Sequence, residues 1–197
     1  MTMPPDADPS GSDDALLRLY AQGDATAARR LSARLLPRVY AHATRLLGDA
    51  MEAEDVAQEA MLRLWRTAPE WRPGEAKVTT WLYRVTANLC IDRLRKRRGV
   101  GLDEIAEPAD PQPGVAQQMQ DRSRHEALQA ALATLPERQR QAVVLRHIEG
   151  LSNPEIAQVM EISPRAVESL TARGKRALTA LLAGRRADLG YDDEKAG

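Results

Sequence analysis

The chain contains a single cysteine, Cys90. One thiol cannot make an intrachain disulfide framework and is too few for a cysteine-built zinc site, so a reducing, cytoplasmic setting is expected. His42, His125 and His147 lie far apart along the sequence. They read as ordinary helix residues and not as metal ligands. Long apolar runs are missing as well. Nothing approaches the roughly twenty residues needed to cross a bilayer, so no membrane insertion is expected. The N-terminus, with Pro4, Pro5, Asp6, Asp8 and Pro9, lacks the basic and apolar regions of a signal peptide. Phenylalanine is absent and only 4% of residues are aromatic, which leaves few groups for stacking. No nucleophile with a base, metal cluster or phosphate-cradling glycine loop is visible, so the chain is read as a non-enzyme that needs no cofactor.

Net charge is also lacking, with 28 Lys and Arg against 28 Asp and Glu, but the charges are unevenly placed. Through Ala60, ten acids face six arginines. From Arg84 to Arg98, Arg84, Arg93, Arg95, Lys96, Arg97 and Arg98 face only Asp92, a concentration suited to a phosphate backbone.

Apolar residues recur at helical spacing and no alternating strand pattern stands between turn signals, so the expected class is all-α. Residues 1–12 read as disordered and 187–197 as a polar tail. Residues 99–118, with Gly99, Gly101, Pro108, Pro111, Pro113 and Gly114 among Asp103, Glu104, Glu107 and Asp110, read as a flexible acidic linker. Two small helical modules remain, 13–98 and 119–186.

In the first module a helix begins near Ala50 with Ala53, Val56, Ala57, Ala60 and Leu64 on its core side. Its other side carries Asp55, Gln58, Glu59, Leu62 and Arg66. That side is either a solvated face or an acidic docking patch with a leucine at its centre. A loop, Pro69 to Lys77, leads to a helix from about Val78 to Arg97 with an apolar stripe of Val78, Leu82, Val85 and Leu89. Trp81, Arg84, Asn88 and Arg95 share a neighbouring face. An aromatic, an amide and guanidiniums so aligned suit nucleic acid, whereas a core tryptophan beside a basic helix end is the plainer account.

In the second module, Pro136 marks a helix start, Gly150 a stop, and Ser152 with Glu155 a capping box. Ser163 and Pro164 open a further helix after a short turn, which makes a helix-turn-helix. Along that last helix Val167, Leu170, Gly174, Leu178 and Leu181 share one face, where Gly174 implies close approach of a neighbour. The opposite face carries Arg165, Glu168, Ser169, Ala172 and Arg176, with Arg173 at its margin, and could offer guanidiniums to guanine edges or phosphates. Two packed helices with no ligand would show the same spacing.

These stretches together resemble the extracytoplasmic-function sigma factors of the bacterial sigma-70 superfamily. Ala53-Glu54-Asp55-Val56-Ala57-Gln58-Glu59 with Leu62 and Trp65 resembles the family's polymerase-binding segment. Thr79-Thr80-Trp81-Leu82-Tyr83-Arg84-Val85-Thr86-Ala87-Asn88 with Asp92 and Arg93 resembles its minus-ten-reading helix. Leu135 to Arg140, Gly150-Leu151-Ser152, Glu155-Ile156-Ala157 and Ile162 to Ser169 resemble its minus-thirty-five module.

The resemblance implies a sigma region 2-like first module, a region 4-like second module and promoter-specific initiation in a stress or signal response. The expected partners are core RNA polymerase, through its largest-subunit clamp and its flap, promoter DNA, and an anti-sigma factor. Asp55, Gln58, Glu59 and Leu62 would meet polymerase. Lys77, Thr80, Trp81, Arg84, Asn88 and Arg93 would hold the minus-ten strand, and Arg165, Glu168, Ser169, Ala172, Arg173 and Arg176 would meet the minus-thirty-five duplex. The chain departs from the family's common residues at Val78, Glu168, Leu170 and Ala172, and Glu161 stands in the turn where glycine is frequent. The rival readings are a sigma mimic that titrates an anti-sigma factor and a stand-alone helix-turn-helix regulator.

Overall fold

A computed structural model describes residues 11–100 and 116–183, with side chains placed over 11–97 and 124–183. All regular structure among them is helical. Of the expected disordered N-terminus (1–12), acidic linker (99–118) and polar tail (187–197), residues 1–10, 101–115 and 187–197 lie outside the described residues, while Ser12 caps a helix, one helix runs on to Val100 and another starts at Ala116.

Four α-helices build the first module: α1 (Asp13–Ala21), α2 (Ala25–Leu47), α3 (Ala50–Thr67) and α4 (Val78–Val100). Local chemistry sets their starts. Ser12, Asp24 and Asp49 are extended cap residues whose side chains accept from backbone N–H groups otherwise left unpaired in the first turns. Gly48, at φ +71, ends α2 in the left-handed region that glycine enters without steric cost. Leu16, Leu17, Leu31, Leu35, Val39, Leu64, Val78 and Leu82 form one shared core. The small residues Ala43, Ala53, Ala87 and Cys90 let α2, α3 and α4 approach closely in a second cluster. Burial pushes the Cys90 thiol up to about 12, so it packs as a small apolar group and not as a nucleophile.

The second module holds α5 (Ala116–Thr134), α6 (Glu137–Val143), a π-helical turn (Val144–Ile148), α7 (Asn153–Met160) and α8 (Pro164–Ala183). The expected capping box is present: the Ser152 N–H donates to Glu155 Oε2 at 2.8 Å. Between α7 and α8 Glu161 adopts φ 53, the only non-glycine residue with positive φ among the described residues. The left-handed region costs a Cβ-bearing residue about 1 kcal/mol. The strained residue is the one that stands where the resembled family frequently has glycine.

Gly174 also behaves as expected. A Cβ built there would lie 2.6 Å from Val143 Cγ2 and 3.1 Å from the Gln139 carbonyl oxygen, so α8 and α6 touch backbone to side chain. Leu181, expected on the inward face of α8, is instead exposed, whereas Leu178, one turn earlier, packs against Leu132, Leu135, Val143 and Val144.

The two modules are not separate bodies. Tyr83 of α4 is buried in the apolar cluster of the second module, beside Ala142, Leu145, Ile156, Val159 and Val167. The Arg140 guanidinium reaches back to the Leu46 carbonyl at the end of α2.

Candidate polymerase and nucleic-acid surfaces

Three surfaces carry the residues singled out in the sequence. On α3, Asp55, Gln58, Glu59 and Leu62 point away from the core that Ala53, Val56, Ala57, Ala60 and Leu64 fill. Leu62 is 49% exposed, high for a leucine on a helix whose other apolar residues are mostly covered. The carboxylates are partly neutralised. Arg63 Nε donates to Glu59 Oε1 at 2.9 Å, and Arg93 Nη1 lies 3.5 Å from Asp55 Oδ2. The hydrogen bond from Arg63 holds the Glu59 carboxyl below its usual range, so it is ionised wherever the protein works.

On α8, Arg165, Glu168, Ser169, Ala172, Arg173 and Arg176 are all exposed. The buried Val167 and Gly174 press the opposite side inward and leave this face free. Arg173 folds over Ser169, donating from Nη2 to its hydroxyl at 3.0 Å, while the Asn153 amide reaches Glu168 Oε1 at 3.5 Å. Sequence reasoning missed Arg138 here. With Ser163, Arg165, Ser169 and Arg173 it lines an open cleft of about 480 Å³ beside the start of α8. Three guanidiniums and a helix N-terminus favour an anion there. The signal was present in the Glu137–Arg140 stretch, but only the packing of α6 against α8 shows which side of α6 Arg138 occupies.

The α4 surface is different. Lys77 and Asn88 are exposed, Trp81 and Arg84 are half-buried, and Thr80 is 5% exposed, beneath the surface and not on it. Trp81 meets Trp71 edge to face, with centroids 6.0 Å apart, and rests against the core, so it combines a packing role with a partly open ring. Trp71 is itself tied down, its indole N–H donating to Asp14 Oδ1 at 2.8 Å. Arg93 turns toward α3, donating to the Glu52 carbonyl at 3.0 Å.

Two of the cations on α4 and its approach are occupied by the second module. Lys77 Nζ donates to Glu155 Oε1 at 2.7 Å, and Arg84 Nη1 lies 3.6 Å from Glu161 Oε1. A third contact is more deeply set. The Tyr83 hydroxyl donates to Glu149 Oε2 at 2.7 Å, Arg45 Nη1 donates to Glu149 Oε1 at 3.1 Å, and the buried His42 ring places Nδ1 3.5 Å from the same oxygen. Burial alone would raise the Glu149 carboxyl. The His42 ring, the Tyr83 hydroxyl and Arg45 together reverse this and hold it below the usual range. His42 thus lies at a junction between modules, while His125 and His147 are exposed. Among the described residues no group of three or more His, Cys, Asp or Glu could hold a metal ion.

Comparison with known proteins gives these surfaces a context. Residues 31–100 match the Sigma-70 region 2 family model, and 125–178 match that of Sigma-70, region 4. The chain is 40% identical over 153 residues to the ECF RNA polymerase sigma factor SigE of Mycolicibacterium smegmatis, a match covering 74% of this chain and 58% of that protein. It is 32% identical over 174 residues to ECF RNA polymerase sigma factor SigM of Mycobacterium tuberculosis, covering 87% and 85%. Identity to the RNA polymerase sigma-H factor of Pseudomonas aeruginosa is 31% over 181 residues, covering 84% and 91%. Among solved structures, CnrH in complex with the cytosolic domain of CnrY superposes with a TM-score of 0.66 at 27% identity, covering 87% of this chain and 97% of that one. The RpoE–NepR complex of Bartonella quintana gives 0.64 at 22% identity, covering 79% and 96%, and supports the fold.

Proposed function

The chain belongs to the extracytoplasmic-function group of the sigma-70 family, factors that direct RNA polymerase to promoters, and from that premise we propose how its three faces divide the work. The α3 face of Asp55, Gln58, Glu59 and Leu62 docks on the largest-subunit clamp of core polymerase. Its charges set orientation and on-rate and Leu62 adds apolar contact. The α8 face enters the duplex at the minus-thirty-five element, with Arg165, Arg173 and Arg176 directed at phosphates and guanine edges, Glu168, Ser169 and Ala172 forming the rest of the contact, and Arg138 added to the phosphate set.

The α4 face of Lys77, Trp81, Arg84 and Asn88 receives unpaired bases of the minus-ten element. Each flipped base costs a few kcal/mol, which stacking and charge contacts must offset. Thr80 supports that face from beneath, and Arg93 braces α4 against α3. The chain positions polymerase and makes no bond itself. An anti-sigma factor, the kind of partner seen with the Bartonella RpoE, is the expected silencer. No helix among the described residues is long and apolar enough to cross a membrane.

One observation carries the reading: the free outward face of α8, with its arginines, stands in the same chain as an exposed acidic face on α3. A stand-alone regulator has no use for the second, and a sigma mimic has no use for the first. Run-off transcription with purified core polymerase and a genomic promoter library tests it, and discrete promoter-dependent transcripts are the expected result. An intact chain that binds core yet initiates at no defined position would sink it.

A further inference from the structure

We infer that Glu149, Glu155 and Glu161 form an intramolecular latch that closes the second module over the minus-ten face of the first, so that the free factor is held in a form unable to capture a melted strand. The inference rests on the promoter-reading assignment of α4 made above. Three carboxylates at the start and both flanks of α7 each meet a separate group on the first module: Glu155 meets Lys77, Glu161 meets Arg84, and Glu149 meets Tyr83, Arg45 and His42. Lys77 and Arg84 are also the cations that a single strand's phosphates would need. The glutamates therefore occupy phosphate positions from within the same chain. Tyr83 adds an apolar anchor, since its ring is buried among Leu145, Ile156 and Val167.

The closure is selective. It engages Lys77 and Arg84, whose side chains stay 73% and 43% exposed, and buries Tyr83, while the α8 residues proposed to meet duplex and Leu62 on α3 remain exposed. Closure and full promoter engagement are also incompatible in length. Elements centred about 25 base pairs apart, as their names imply, are separated by about 85 Å of duplex at 3.4 Å per step. In the closed form Glu161, three residues before α8, lies 3.6 Å from Arg84 of α4, and α8 itself spans only about 30 Å. The latch must open for both elements to be held. Polymerase docking on the uncovered α3 face, with duplex binding by α8, supplies the differential binding that shifts the population toward the open form.

The test uses the full chain and the variant Glu149→Gln/Glu155→Gln/Glu161→Gln. Glutamine keeps the capping box at α7 and an acceptor for Tyr83 while removing all three charges. Two readouts are taken at one fixed salt concentration: the radius of gyration by small-angle scattering, and the affinity for a fluorescent non-template minus-ten oligonucleotide. If about nine in ten free molecules are closed, opening raises apparent strand affinity about tenfold. The expected result is an expanded variant that binds the strand that much more tightly. The wild-type chain provides a second arm that does not depend on the variant folding: its radius should grow between low and molar salt as the ion pairs are screened.

A wild-type radius insensitive to salt together with an unexpanded variant would overturn the latch. So would an affinity gain with no change in radius, which is bulk charge alone, or an expanded variant that binds the strand no better than a wild type that does bind it. Expansion with no strand binding by either protein would leave the latch standing and refute the reading of α4.

Discussion

Helices α4 and α8 carry the two faces proposed to meet nucleic acid, yet they are built on opposite plans. Along α8, one buried side containing Val167 and Gly174 is opposed by one exposed side of arginines, serine and alanine. Along α4, burial takes in Val78, Thr80, Leu82, Tyr83, Thr86, Ala87 and Cys90, which no single stripe can hold. The difference comes from the number of neighbours. Helix α8 packs within its own module, whereas α4 serves its own core on one side and receives α7 of the second module on another. A helix with one partner shows a clear 3.6-residue pattern, and a helix with two loses it. On the roles proposed above, the duplex-reading surface lies on the first kind of helix and the strand-binding surface on the second.

The largest expected effect breaks the simple plan of α8. Gly174→Leu places a side chain where even a Cβ meets Val143 and the Gln139 carbonyl. The change improves helix propensity by nearly 1 kcal/mol but forces α6 and α8 apart, and overpacking costs about 1–3 kcal/mol or more. Thermal unfolding should show the second module melting earlier, with polymerase binding through α3 retained. A melting temperature equal to the wild type's would show that the helices are not locked at this crossing.

A smaller effect acts on the two-sided plan of α4. Tyr83→Phe keeps the ring in the second module's cluster but removes the hydroxyl that donates to Glu149 at 2.7 Å. A buried acceptor that loses one donor costs about 1–2 kcal/mol. Arg45 remains at 3.1 Å, which places the loss toward the lower end. Denaturant unfolding of the full chain gives the number. Because the contact joins modules, the radius of gyration should rise even where secondary structure is unchanged, whereas a fall in stability with no expansion would confine Tyr83 to ordinary core packing.

Much of α8 and its neighbours was legible in the sequence. Ser152, Glu155, Ser163, Pro164 and Gly174 each act through local geometry, and local geometry is what a single sequence encodes. The α3 faces were legible for the same reason, since Ala53 to Leu64 alternate between core and solvent at helical period. What was not legible depends on contacts far apart in the chain, 66 residues for Tyr83 with Glu149 and 104 for Arg45 with Glu149. His42, Arg45, Tyr83 and Glu149 read separately as two helix residues, a flank and a helix end, and nothing in their spacing unites them. Thr80 entered the minus-ten set through the family resemblance alone, and the structure buries it to 5% exposure. Leu181 erred the other way: it continues the helical period of the buried stripe, yet it is 42% exposed.

A prediction of opposite sign concerns the turn between α7 and α8. Glu161→Gly removes the left-handed strain of a Cβ-bearing residue at φ 53, a gain of about 1 kcal/mol. It also removes the pair with Arg84, but at 3.6 Å between side chains 43% and 70% exposed that pair adds little to stability. The second module should therefore melt at a higher temperature while the modules hold each other less firmly. Stability falling with the substitution would mean that the Glu161 contact outweighs the strain, and the latch would be stronger than its exposure suggests.

The smallest effect is a titration, and its sign follows from geometry. The hydrogen bond from Lys77, with those from the Ser152 hydroxyl and N–H, draws the Glu155 carboxyl from 4.5 down to about 2. A carboxylate held lower in the folded chain contributes its stabilisation fully above about 4.5 and loses it as pH falls toward about 2. Part of that contribution caps α7 and part holds Lys77, and the two can be separated. Removing the cation by Lys77→Ala should raise the Glu155 pKa seen by carboxyl-resolved NMR while leaving it below 4.5, because Ser152 still donates. A midpoint that stays near 2 without Lys77 would assign the whole depression to the capping box, and contact between modules at this point would then rest on geometry with no charge coupling behind it.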